Sequence, residues 1–150
     1  AHTEIGNNAV LAQMLDLDVT SWWFAPKGVP LGVLGTMKHS TTLNQLVNLI
    51  EDKLNTQVRV LAHGADLVSK VAIISGFGAD QVAEAKALGA DTFVTGETSH
   101  ANYWAAADHG MNVIYAGHYA TETVGVKALG KHLALKFGLK VRFFDFPTQM

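Results

Sequence analysis

Asn112-Val113-Ile114-Tyr115-Ala116-Gly117-His118-Tyr119-Ala120-Thr121-Glu122 is an apolar run that stops at a glycine and passes at once into a long amphipathic pattern. It reads as a buried strand, a sharp turn that Gly117 permits, and a helix beginning near Tyr119. On such a helix His118 and Glu122 stand four residues apart, about 5 to 6 Å between Cβ atoms, so a neutral imidazole and a carboxylate could share one divalent cation. The same pair also suits an ordinary helix start, with Glu122 near the unpaired N–H groups and His118 a solvated turn residue.

Working outward, the strand-to-helix unit recurs. Strand patterns at Val71 to Ser75, Thr92 to Val94, Asn112 to Tyr115 and Val141 to Asp145 alternate with helical patterns at Ala79 to Leu88, Ser99 to His109 and Tyr119 to Phe137. Gly138 follows the last helix as a C-cap, with Lys131 and Lys136 suited to its negative end. This alternation predicts an α/β fold in three layers, a mainly parallel or mixed sheet with helices on both faces. Ala85, Gly89, Gly96 and Glu97 return 21 places later as Ala106, Gly110, Gly117 and His118, a weak repeat in which two helix-strand units end alike. Ligands of open α/β sheets sit beyond the carboxyl ends of the strands, where Gly76-Phe77-Gly78, Thr95-Gly96-Glu97 and Ala116-Gly117-His118 converge. Glu97 becomes a neighbour of His118. With Glu122 and with His100, three residues beyond Glu97, this makes two histidines and two carboxylates in one crevice, a donor set suited to a divalent cation. Glu97 is the candidate general base and His100 the candidate proton donor.

Ser75-Gly76-Phe77-Gly78-Ala79-Asp80-Gln81 invites a dinucleotide reading, which two features oppose. Gln81 stands where a third glycine or alanine is wanted, and Asp80 would put a negative charge where a pyrophosphate must sit. The glycines more simply let backbone approach the site.

Earlier in the chain, Val10, Leu11, Met14 and Leu15 recur at helical spacing after Asn7 or Asn8 as an N-cap. Trp22 and Trp23 lie in an extended stretch and should face opposite ways, in the core or at a subunit interface. Residues 27 to 38 contain Pro30 and several glycines, so they read as irregular or edge-strand structure and as the best internal boundary. Thr42-Leu43-Asn44-Gln45 fits a capping box opening a helix to about Leu54, followed by a strand from Val58 to Ala62 and a loop at His63. His39, His109 and His132 fall away from the strand edge.

A length of 150 residues with 49% hydrophobic content allows a sizeable core. The formal charge of −2, without a basic patch, argues against nucleic acid as partner. Cysteine is absent, which leaves His, Asp and Glu as metal ligands. No run is apolar enough to span a membrane, and the expectation is a cytoplasmic protein. Ala1 opens the sequence within what reads as the tail of a motif, so further chain is expected before it.

Gly117-His118-Tyr119-Ala120-Thr121-Glu122, with Gly89-Ala90-Asp91-Thr92-Phe93-Val94-Thr95-Gly96-Glu97 before it, closely resembles the C-terminal signature of the hexameric dinuclear-metal-centre proteins called NGG-one-interacting-factor-three-like. These are also named GTP cyclohydrolase I type 2 homologs and include the bacterial YbgI proteins. Ala1-His2-Thr3-Glu4-Ile5-Gly6-Asn7-Asn8-Ala9 resembles the segment that follows a metal-binding aspartate in the YbgI-like members. The resemblance implies that His118 and Glu122 are metal ligands, that Glu97 and His100 line the same pocket, and that a complete site takes two divalent metals. Zn, Fe, Mn, Co and Ni all suit such ligands. It implies two α/β lobes with the metals between them, residues 1–24 being the remnant of the first lobe and 25–150 the second. The remaining ligands, paired histidines and a bridging aspartate, would precede Ala1. The function so implied is a metal-dependent hydrolase-like protein, with a guanine nucleotide as the suggested substrate, in a homo-oligomer that is a hexamer. The alternative is a non-enzymatic metal-binding scaffold acting through oligomer and partner contacts.

Overall fold

Val71, Ala72, Ile73 and Ile74 are all buried, which a strand achieves only when both faces of its sheet are covered. They belong to β4 (Leu67–Phe77), an interior strand of a six-stranded sheet in a computed structural model describing residues 2–148. The other strands are β1 (Leu17–Trp23), β2 (Gly32–Thr42), β3 (Arg59–Ala62), β5 (Thr92–Glu97) and β6 (Asn112–Tyr115), and the spatial order is β1-β2-β4-β5-β6-β3. Helices α1 (Asn7–Met14), α2 (Leu43–Leu54) and α5 (His118–Phe137) pack on one face, with Leu11, Leu46, Ile50 and Val124 against Val71, Ile73, Val94 and Ile114. Helices α3 (Val82–Ala87) and α4 (Tyr103–Asp108) cover the other, with Val82, Ala85 and Ala106 against Ala72, Ile74, Phe93 and Val113. The three-layer α/β expectation therefore holds, and the sheet is mixed.

It is not mainly parallel. Only β4–β5 and β5–β6 run parallel, whereas β1–β2, β2–β4 and β3–β6 are antiparallel. Part of the discrepancy lies in residues 27–38, expected to be irregular or edge-strand structure. Their second half is β2, paired on both sides, and β1 packs beside it from before residue 24, so the sheet is continuous through the expected boundary. The glycines have a packing reason. A Cβ on Gly32 would lie 2.8 Å from Trp23 Nε1, and one on Gly35 2.9 Å from the Asp18 carbonyl oxygen. Trp23 itself is buried and donates Nε1–H to the Val33 carbonyl at 3.0 Å, while half-buried Trp22 packs on the opposite core.

Short 3₁₀ turns, Ala79–Gln81 and His100–Asn102, introduce α3 and α4, shortening both expected helices. Each helix then ends in the same way, with paired 6→1 and 5→2 hydrogen bonds: Ala90 to Ala85 and Gly89 to Lys86, then Met111 to Ala106 and Gly110 to Ala107. Gly89 and Gly110 take φ of +84° and +54° there, which gives the 21-residue repeat its physical basis. The expected capping box is present at Thr42 and Gln45, and Gly138 is a left-handed C-cap.

Two expectations fail. Residues 138–148 form no strand, because a strand exists only against a hydrogen-bonded neighbour and the described residues offer none beside Val141 to Asp145. Nor do Asn7 and Asn8 cap α1, whose N-cap is Gly6. Both are tertiary clamps instead. Asn7 Oδ1 accepts the Gly125 N–H of α5 at 2.9 Å, and Asn8 accepts from Ser75 N–H at 2.7 Å while donating to the Leu31 carbonyl at 2.7 Å. Gly125 permits the close approach, since a Cβ would meet Asn7 Oδ1 and lie 3.0 Å from the Ile5 carbonyl oxygen.

Asn8→Ala should accordingly lower the free energy of unfolding by about 2 to 4 kcal/mol, from one N–H and one carbonyl left unpaired in partly buried surroundings. Urea unfolding checks it, with a reduced midpoint and unchanged slope expected. A midpoint equal to wild type would show that the clamp carries no stability.

Candidate functional site

The carboxyl ends of β4, β5 and β6 meet at residues 76–78, 95–97 and 116–118. Gly117 N–H donates to the Gly96 carbonyl at 2.8 Å, and Ala116 N–H to the Thr95 carbonyl at 2.8 Å, so the last two strands stay bonded up to the turn. Two buried threonine hydroxyls fix the neighbouring loop. Thr95 Oγ1 accepts from Gly78 N–H at 3.0 Å and donates to the Gly76 carbonyl at 3.2 Å. Thr121 Oγ1 accepts from Gly76 N–H at 3.0 Å and donates back to the Gly117 carbonyl at the start of its own helix at 2.9 Å. The bonds these two hydroxyls make were not legible in the sequence, since a threonine inside a strand or helical pattern carries no signal of what it reaches.

Around these bonds the polar side chains assemble. Glu97 ends β5, His118 opens α5 and Glu122 follows one helical turn later. His118 Nδ1 lies 2.8 Å from Glu97 Oε1, and Nε2 lies 3.2 Å from Glu122 Oε2. Both ring nitrogens are thus addressed by carboxylates. The hydrogen bond to Glu97 is the largest cause raising the His118 pKa above its usual 6.5, partial burial opposes it, and the Glu122 charge reinforces it. Gly76 closes the floor with φ +67°, and a Cβ there would lie 3.0 Å from His118 Nε2 and collide with the Glu122 carboxylate. A glycine is required by conformation and by space together.

Glu97, His118 and Glu122 share a cavity of about 670 Å³ whose far wall is Val126, Phe143, Phe144 and Phe146. His100 does not join them. It is exposed in the 3₁₀ turn before α4, outside the residues lining that cavity. Of the four side chains expected together, three meet and the fourth stands apart, because Thr98 and an extended Ser99 separate Glu97 from the turn that carries His100. His39 and His63 are exposed, as is His132 on α5, and none of the three lines the cavity. Among the described residues, no group of three or more His, Asp or Glu side chains is arranged to hold a metal ion. What is present is two donors, His118 Nε2 and Glu122, with Glu97 fixing the ring from behind, a donor set that fits part of a divalent-metal site.

Known proteins carry the same chain features. The family model described as Duf34/NIF3 (NGG1p interacting factor 3) matches residues 1–149. A Pyrococcus abyssi protein described as a GTP cyclohydrolase 1 type 2 homolog is 40% identical over 148 residues, and a Deinococcus radiodurans protein of the same description is 37% identical. These alignments cover 98% and 99% of this chain but 59% and 56% of the relatives, so the chain spans little more than half their length. Among solved structures, the protein ybgI, of unknown function by its own description, superposes with a TM-score of 0.89 at 33% identity over 99% of this chain and 58% of that one. A Thermus thermophilus protein gives 0.83 at 40% identity, covering 100% and 58%. With a family model matched over nearly every residue, and a fold shared with ybgI, this chain belongs to the Duf34/NIF3 family.

Proposed function

We propose that this chain contributes a divalent-metal half-site, His118 and Glu122, to a metal-dependent hydrolase-like protein that acts on a guanine nucleotide. The observation that carries the reading is the imidazole held between two carboxylates over a glycine floor. With the Nδ1 proton given to Glu97, the Nε2 lone pair faces the Glu122 carboxylate, the arrangement in which both can turn to one cation. A bound cation would act there as a Lewis acid toward an electrophilic carbon or phosphorus centre. Glu97 positions the imidazole and is the nearest carboxylate for proton transfer; His100, outside the cavity, is given no step. The apolar wall of Phe143, Phe144 and Phe146 offers aromatic surface to a heterocyclic base. The guanine nucleotide follows the relatives' description as GTP cyclohydrolase homologs. A two-metal site completed by ligands outside this chain, a homohexamer and a cytoplasmic setting belong to the same proposal. Among the described residues no helix is long and apolar enough to cross a membrane.

Zinc titrated into the chain at pH 8 should bind weakly, two ligands leaving most positions to water, and His118→Ala should abolish the binding. Undiminished binding by that variant sinks the half-site. In the presence of manganese, turnover of a guanine nucleotide panel that disappears in His118→Ala supports the hydrolase, whereas metal binding without turnover favours a scaffold.

A second test needs no metal. His118 has its folded pKa raised above the unfolded value, so its protonated form stabilises the fold fully below pH 6.5 and that contribution is lost as pH rises through the folded pKa. Imidazole proton NMR should show a midpoint above 6.5 that falls in Glu97→Gln, since the largest cause has been removed. Metal uptake, which needs neutral imidazole, should strengthen across the same raised window. An unmoved midpoint in Glu97→Gln would show that the ring is not held as described.

Gly76→Ala should cost about 1 to 3 kcal/mol from overpacking, with added strain from the positive φ, and should displace Glu122 from His118. Loss of zinc binding in a variant that still folds, read by circular dichroism, is the expected result.

A further inference from the structure

On the other side of Glu97 lies a second cavity, of about 640 Å³, lined by Arg59, Tyr115, Thr56, Thr98 and the backbone at Gly96 and Gly117. Its residues come from three different segments, and the metal half-site uses none of them except Glu97. Arg59 and Tyr115 are directly opposite in the antiparallel β3–β6 ladder. Partners in that register share one face of the sheet with Cβ atoms about 4.5 to 5.5 Å apart, so the guanidinium and the phenol project side by side.

Three observations give this cavity a sign. Arg59 is exposed and makes no ion pair with any carboxylate among the described residues. Tyr115 is 5% exposed, and its hydroxyl is the one buried side-chain polar atom without a hydrogen-bond partner among the described residues. An orphaned hydroxyl at such a depth costs stability unless something accepts from it or donates to it. Gly117 is the N-cap of the 20-residue α5 and gives no side-chain cap, so the positive end of a long helix dipole opens at the cavity rim. A free guanidinium, a free phenol hydroxyl and an uncapped helix start are all hydrogen-bond donors, and each favours negative charge. The one carboxylate present, Glu97, is engaged by His118 Nδ1 at 2.8 Å.

From this we infer that the cavity is an oxyanion subsite, in which Arg59 and the Tyr115 hydroxyl bind a phosphoryl group of the ligand whose reacting part lies at His118 and Glu122. The guanidinium fork matches two phosphate oxygens at once, and the phenol supplies a third donor from a fixed position. Glu97 stands between the two cavities and lines both, so a single nucleotide can span them with its phosphates on the Arg59 side and its heterocycle toward the aromatic wall. The identity of the ligand rests on the nucleotide reading given above; the presence of an anion site does not.

Inorganic phosphate, guanosine and guanosine monophosphate titrated into the full chain at low ionic strength, in wild type, Arg59→Ala, Arg59→Lys and Tyr115→Phe, test this. Phosphate and the monophosphate should bind wild type and weaken roughly tenfold or more in Arg59→Ala, the size expected for losing a charged hydrogen-bond donor. Arg59→Lys should recover only part of the loss, because a point charge replaces the fork. Tyr115→Phe should melt no lower than wild type without ligand, its orphan having been removed, yet gain less melting temperature on adding phosphate. Guanosine should be indifferent to all three substitutions. Phosphate affinity equal in wild type and Arg59→Ala overturns the subsite, as does acetate binding as tightly as phosphate, which would mark a general carboxylate site. Zinc binding measured on the same Arg59→Ala protein separates the two readings, since the half-site contains no Arg59 and should be untouched.

Discussion

The whole site depends on a space that no side chain can occupy. Three strand ends and one helix start are drawn together so closely that a Cβ on Gly96 would lie 2.6 Å from the Gly76 carbonyl oxygen and 2.9 Å from the His118 Cα. Backbone fills that space. The Thr95 and Thr121 hydroxyls then satisfy the N–H and carbonyl groups that such crowding removes from the regular ladder. Because these bonds are buried and each threonine both donates and accepts, the loop around Gly76 has little freedom to shift. The positions of His118 and Glu122 relative to it are set by packing before any ligand arrives.

That rigidity explains the asymmetry of the polar cluster. Glu97 and His118 come from strand and helix ends already tied by the Gly117 to Gly96 hydrogen bond, so their side chains meet across a fixed gap. His100 opens a short 3₁₀ turn two residues beyond the end of β5, where nothing comparable holds it. A long helix makes the other half of the device. Helix α5 carries His118 and Glu122 at one end and is pinned along its length by Asn7 against Gly125, so the first segment of the chain bears directly on the aim of the site.

The two cavities flanking Glu97 differ in chemistry. One presents aromatic rings beside imidazole and carboxylate, and the other presents a guanidinium and hydroxyls. The exposed aromatic tail that walls the first has no neighbouring strand among the described residues, although its sequence has the β-branched and aromatic character of one.

Much of this was open to inspection in the sequence. The strand-glycine-helix junction at residues 112–122, the repeat ending in Gly96-Glu97 and Gly117-His118, and the capping box at Thr42 are local patterns, and local hydrogen-bond geometry enforces them wherever they occur. The convergence of Glu97 with His118 followed from the same patterns, because parallel neighbours in register bring their ends together. Contacts between distant segments decided the rest. Residues 27 to 38 look irregular until Trp23 is seen to need the space that Gly32 leaves, and the tail looks like a strand until it is found without a neighbour. Asn7 and Asn8 look like caps until their amides are traced to Gly125 and Ser75. In each case the residue type had two uses, and sequence records the type but not the partner: only the tertiary structure, which sets what lies opposite, chose between them.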